Sequence, residues 1–289
     1  MIREKSTGLP RSVFAIGCTL ALLALVWARG GEQAAATRQA SSERRPTIVL
    51  VHGDWADASS WNKVIAPLQD RGFTVVAPPN TLRGPSQDAP YLASYLQTIP
   101  GPIVLVAHSY GGFVATNAAT GNPNVKALVY IDAFAPDENE TALDLFNLVG
   151  GTSSCVAVDG AFNAVPFDGG VDLYLRWEAD PPYPGFMKCF ANGVDEQTAR
   201  LLHATQRPAS AAQFTDPSGP PAWETIPSWA LLGTQDHVIP PALQEEMYER
   251  AGAHITRVRA GHLSLITRPG AVLRVILSAV KATTRGAAR

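Results

Sequence analysis

The stretch Ile103-Val104-Leu105-Val106-Ala107-His108-Ser109-Tyr110-Gly111-Gly112 constrains what the rest of the chain can be. Ile103 to Val106 read as a short buried strand, and Phe113 to Ala119 as a helix that follows at once. Between them, Ala-His-Ser-Tyr-Gly stands one residue away from the Gly-x-Ser-x-Gly pattern of a nucleophile elbow. So sharp a turn needs small neighbours, because a side chain there would strike the strand or the helix. Ala107, Gly111 and Gly112 meet that need. The turn lifts Ser109 out of the sheet and sets its oxygen beside the first N–H groups of the helix, where developing negative charge is favoured. A glycine-rich connection around a buried serine would read the same way, so the other strands decide.

Those strands recur with helices between them. Thr47 to Val51 is a β-branched strand running into His52-Gly53-Asp54-Trp55, and Phe73 to Ala77 is the next. Trp61, Val64, Ile65 and Leu68 fall at helical spacing after the first strand, and Tyr91 to Ile99 read as a helix before the elbow strand. Val125 to Ile131 is a strand ending at Asp132. Trp229 to Leu232 leads to Gly233-Thr234-Gln235-Asp236, a helix covers Pro241 to Ala251, and Ile255 to Val258 leads to Gly261-His262. Val272, Val275, Ile276 and Val280 mark the final helix. Strands alternating with helices predict an α/β fold: about six mostly parallel strands with helices on both faces. Residues 37–136 and 227–289 form its core. Residues 137–226 break the rhythm, carry many Pro and Gly, and are too long for a structureless loop, so they read as an inserted lid with short helices such as Asp195 to Gln206.

Residues 1–36 have the layout of a secretory signal peptide: Arg3, Lys5 and Arg11, an apolar run from Val13 to Ala28, then small residues, with cleavage after Ala28 or Ala36. The apolar run is short for a membrane span. A secreted or periplasmic protein without stable membrane association is expected. Removing Cys18 with the leader leaves Cys155 and Cys189, an even count that favours a disulfide in an exported chain. No Cys/His spacing resembles a zinc site. The net charge of −2 includes no basic run, which argues against a nucleic-acid partner.

Ser109, Asp236 and His262 each follow a strand end, and in an open parallel sheet those ends share one edge. Serine needs a base to take its proton, histidine titrates near neutrality, and a carboxylate holds the imidazole tautomer. Singly, Asp236 fits a helix-capping turn residue and His262 a loop histidine. Together, in this order, they point to nucleophilic acyl transfer. Asp132 is the alternative acid, since it also follows a strand. The oxyanion donors expected are the backbone N–H groups of Tyr110 and Asp54, with Trp55 the less favoured second donor. A carboxylate beside an oxyanion is repulsive, so the Asp54 side chain is expected to point away and cap a turn. His108 reads as a structural residue beside the elbow, and His203 and His237 as exposed or lid histidines. Trp177, Tyr183, Phe186 and Phe190 read as lid packing, with a pocket-lining role left open.

On His52-Gly53, Trp61, Ala107 to Gly112, Leu232 to Pro241 and Gly261-His262-Leu263-Ser264, the mature chain resembles the α/β-hydrolase superfamily. Within it, the chain looks most like small bacterial members grouped with plant hydroxynitrile lyases and salicylate methyl esterases. Gly53 and Leu263 stand where the lyases place a threonine and a lysine, which disfavours cyanohydrin cleavage. Ser109 in place of an aspartate disfavours dehalogenation. The resemblance implies a serine hydrolase acting on small-molecule carboxylic esters without metal or cofactor. A lactonase, a cofactor-free perhydrolase and a catalytically silent binding protein on the same scaffold remain as alternatives.

Overall fold

The central apolar runs become strands buried on both sides, where a continuous hydrophobic sequence serves better than an alternating one. In the computed structural model, which describes residues 45–148 and 154–286, six strands form one sheet. They are β1 (Thr47–Val51), β2 (Val75–Val76), β3 (Ile103–Ser109), β4 (Val125–Ala133), β8 (Ser228–Gly233) and β9 (His254–Val258). Their order is β2-β1-β3-β4-β8-β9 and every pairing is parallel. All seven residues of β3 are buried. The expected signal peptide and most of the polar lead-in lie outside the described residues.

This order places β1 between β2 and β3, so the chain leaves β1 in one direction and crosses back to β3. Such a reversal opens a crevice at the carboxyl ends of the two strands, where loops diverge to opposite sides. The His52 to Trp55 loop and Ser109 lie at those ends. Two groups of helices cover the sheet. Helices α1 (Asn62–Gln69) and α9 (Pro269–Gly286) pack on each other, with α9 against β3, β4 and β8. Helices α2 (Pro85–Gln97) and α3 (Gly111–Ala118) pack together, with α3 against β1, β3 and β4. Helix α7 (Pro241–Arg250) lies on β8 and β9.

Several elements differ from expectation. Helix α2 begins at Pro85, six residues before Tyr91, because proline is tolerated in a helix's first turn and Gly84, at φ +126°, supplies the turn before it. Strand β2 shrinks to Val75 and Val76, as befits a sheet edge. Residues 137–226 hold helices α4 (Ala142–Leu148), α5 (Phe186–Cys189) and α6 (Glu196–Thr205). They also hold an antiparallel sheet of β5 (Phe162–Phe167), β6 (Gly170–Leu175) and β7 (Ala209–Ser210), which the sequence reading did not foresee. The outer strand β5 is mostly exposed, so its sequence lacks the apolar run that marks a buried strand. This segment is tied to the core by Trp55 Nε1, which donates to Leu173 O at 3.0 Å, and by the Arg83–Asp172 ion pair at 2.5 Å.

Cys155 and Cys189 are disulfide-bonded, with Cα atoms 5.6 Å apart and a sequence separation of 34. Around the bond, Cys155 N donates to His237 O (2.8 Å), Ser154 Oγ to Val238 O (2.6 Å) and His237 Nδ1 to Lys188 O (2.7 Å). The bridge therefore braces the loop that carries Asp236. Replacing both cysteines by alanine should lower stability by about 2–4 kcal/mol, the usual worth of such a loop, read from denaturant midpoints. An unchanged midpoint would deny the bond a structural role. Gly112 gives a sharper test of the elbow: a Cβ there would stand 1.9 Å from the Phe134 carbonyl oxygen, which is backbone and cannot swing away. Gly112→Ala should cost about 3 kcal/mol, read from denaturant midpoints, and an unchanged midpoint would deny the close approach a structural role.

Candidate active site

Ser109 has φ +54°, a left-handed backbone conformation that costs a non-glycine residue energy and is held only by its surroundings. The surroundings are the interlock of strands and loops. Phe134 N donates to the Ser109 carbonyl at 3.2 Å, and Gly53 lies so near that a Cβ on it would be 2.5 Å from Ser109 Cβ. The chain thus aims the hydroxyl off the end of β3, beneath the loop that follows β1.

His262 enters from the loop after β9. Its Nε2 accepts from Ser109 Oγ at 3.0 Å, and its Nδ1 donates to Asp236 Oδ2 at 2.8 Å. Ser109, His262 and Asp236 are all buried, His262 completely. Burial disfavours charge on both members of the His–Asp pair: it pushes His262 down to about 3 and Asp236 up to about 8. Against that, Asp236 accepts from Val238 N (2.8 Å), Ile239 N (3.0 Å) and Gln244 Nε2 (2.8 Å). Every one of these neighbours is a donor. His262 Nδ1–H donates to it as well, so these contacts together favour the carboxylate and oppose the effect of burial.

Asp132 meets the same edge at φ +44°, but its Oδ1 accepts from Gly233 N at 2.7 Å and its carboxyl interacts with Ser264 rather than with His262. Burial, with Asp236 nearby, raises it well above the carboxylate range. Among the described residues, Asp236 is the carboxylate hydrogen-bonded to His262.

Two further histidines hold the frame. His108 Nε2 donates to the His262 carbonyl at 3.0 Å, and its ring lies 4.7 Å from that of His262. It is fully buried, which pushes its pKa well down and keeps it neutral. Its expected structural role is thus a specific one, holding the backbone of His262. His52 accepts from Asn80 N through Nε2 (3.0 Å) while its Nδ1 donates to Gly53 O (2.9 Å), so one neutral ring bridges the two loops beside Ser109. Tyr110 is anchored through its hydroxyl, which donates to Asp88 Oδ2 at 2.7 Å. Asp88 also accepts from Arg83 N at 2.9 Å and from Thr81 Oγ1. His52 follows directly on a strand and could have been singled out on that ground. Asp88 and Gln244 carry no such signal, because their roles arise from packing between elements distant in sequence.

The Asp54 side chain does not cap a turn. It is buried and accepts from Gln213 Nε2 at 2.7 Å. Burial raises its pKa well above the ordinary carboxylate value, which favours the neutral form and lessens the expected repulsion toward an oxyanion. Trp55, at φ +53°, lies with Asp54, Ser109 and Tyr110 on a cavity closed by Phe134, Phe146 and Phe214. Trp177, Tyr183, Phe186 and Phe190 are absent from its lining. Phe190 instead packs against the rings of His262 (5.5 Å) and Trp55 (5.9 Å), and Phe186 packs on Trp177 and His203. His237 is exposed and His203 half-buried.

The chain is similar to several known proteins. A carbendazim hydrolyzing esterase from Nocardioides sp. (strain SG-4G) is 29% identical over 134 residues, covering 42% of this chain and 55% of that protein. The aligned region thus spans about half of that relative's length. The probable hydrolase R7 of Phoma sp. is 27% identical over 241 residues, covering 75% of this chain and 91% of its own. Among solved structures, an extracellular alpha/beta-hydrolase from a Paenibacillus species, described as a structural and functional homologue of tobacco salicylic acid binding protein 2, superposes with a TM-score of 0.62. It is 22% identical and covers 81% of this chain and 98% of its own. The profile of the alpha/beta hydrolase family matches residues 48–275, from the first strand of the sheet into its last helix, and the chain belongs to that family.

Proposed function

We propose that this protein is a serine hydrolase of carboxylic esters. The observation that carries the reading is the hydrogen-bonded line Ser109–His262–Asp236 at a strained elbow, with contacts of 3.0 and 2.8 Å. Relatives named as esterases support the ester class. In the reaction, His262 Nε2 takes the Ser109 proton as Oγ attacks the ester carbonyl. The backbone N–H groups of Tyr110 and Asp54 receive the oxyanion, and His262 returns the proton to the departing alcohol. Water, deprotonated by the same nitrogen, then releases the acid. Asp236 fixes the Nδ1–H tautomer and steadies the imidazolium. No step calls for a metal or cofactor.

Residues 137–226 act as the lid over Ser109. The disulfide and the leader-like N-terminus together support export. A solved extracellular neighbour is consistent with that.

Wild type should hydrolyse p-nitrophenyl esters in a series from acetate to laurate, and a fluorophosphonate probe should label Ser109. Ser109→Ala should lose at least about a thousandfold in kcat. Asp236→Asn should lose about as much, while Asp132→Asn should lose less than tenfold; the opposite ranking would make Asp132 the acid. The pH profile provides an independent check. A base held below the ordinary histidine value of 6.5 stays neutral over a wider range, so kcat/KM should stay flat as pH falls through 6.5 and decline only in more acidic solution. An acid limb centred at or above 6.5 would show that His262 is not the buried base described here.

A further inference from the structure

Resting on the ester-hydrolase reading, we propose that Asp54 and Gln213 together form a specificity site that takes a hydroxyl group carried by the ester, within a few bonds of its carbonyl.

The two side chains come from far apart in sequence. Asp54 lies in the loop after β1, and Gln213 in the 3-10 turn Ala211–Phe214 that follows β7. Both line the cavity at Ser109, and Asp54 is only 6% and Gln213 only 3% exposed. Gln213 Nε2 donates to Asp54 Oδ2, which uses one polar atom of each. Asp54 Oδ1 and Gln213 Oε1 have no hydrogen-bond partner among the described residues. Buried oxygens of this kind are costly, and a pair beside a candidate nucleophile points to a ligand that completes them. An all-apolar lining would have served a plain alkyl ester better.

The chemistry of the pair selects the ligand. Gln213 Oε1 can only accept a hydrogen bond. Because Asp54 Oδ2 accepts from Gln213, a proton on this buried carboxyl, which burial favours, sits on Oδ1 and can be donated from there. A hydroxyl is the smallest group that accepts one hydrogen bond while donating another. A methyl in the same place would leave both oxygens unpaired and shut off from water. Sites built to bond a substrate hydroxyl discriminate strongly against the analogue that lacks it. Because Asp54 also carries the proposed oxyanion donor on its backbone, the selected hydroxyl must lie near the scissile carbonyl.

The test compares esters in which hydroxyl and methyl are exchanged at constant shape: methyl lactate with methyl isobutyrate, and methyl β-hydroxybutyrate with methyl isovalerate. Wild type should favour the hydroxy member of at least one pair by tenfold or more in kcat/KM. Gln213→Leu should bring that ratio near one, mainly through KM. Asp54→Asn, which keeps the shape and the backbone N–H, should retain part of the preference and serves if Gln213→Leu does not fold. A wild-type ratio at or below one in both pairs, or a ratio that survives Gln213→Leu, would overturn the proposal. Calorimetric binding of acetoin and methyl isopropyl ketone to Ser109→Ala separates this proposal from the hydrolase reading. An enzyme inactive on every ester that still prefers acetoin keeps the hydroxyl site and loses the reaction. One that hydrolyses esters but binds both ketones equally loses the site alone.

Discussion

The left-handed backbone at Ser109 is the constraint on which the rest of this structure depends. A strand ending in helical space would carry its last side chain into the sheet. One residue at φ +54° turns the chain sharply enough to leave that side chain on the outside. The conformation is unfavourable by itself, and close packing holds it. Gly53 and Gly112 let the β1 loop and the Phe134 backbone approach closer than any side chain would permit. The same close contacts set the β1 loop beside Ser109, so the geometry that strains the serine also builds its surroundings.

Burial sets the electrostatics of the site. His52, His108 and His262 are fully buried, and burial lowers all three, so they stay neutral and act through directed hydrogen bonds rather than charge. Each uses at least one ring nitrogen to tie segments that are distant in sequence. His108 holds the backbone of His262, and His52 holds Asn80 to the loop over Ser109. Dry surroundings strengthen these bonds and make any unpaired polar atom costly. Asp54 Oδ1 and Gln213 Oε1 are two such atoms, and both lie on the cavity at Ser109.

The segment between β4 and β8 does two things. It closes the cavity with Phe146 and Phe214, and through the Cys155–Cys189 bond it braces the turn that presents Asp236. A cross-link at that place restrains the acid-bearing loop as well as the cover.

The sequence by itself determined the parallel sheet, the elbow and the order of Ser109, Asp236 and His262. Buried strands are continuous apolar runs, turns need small residues, and both signals are local. It also singled out the two cysteines that pair. Local signals ended where contacts became long-range. Asp132 and Asp236 each follow a strand, and only the folded loops put Asp236 against His262 while tying Asp132 to Gly233. The small sheet of β5, β6 and β7 escaped notice because its outer strand is exposed and its third strand has two residues. The neutral Asp54 and its partner Gln213, 159 residues away, were invisible for the same reason: a carboxyl's charge is set by what surrounds it, and the surroundings exist only after folding.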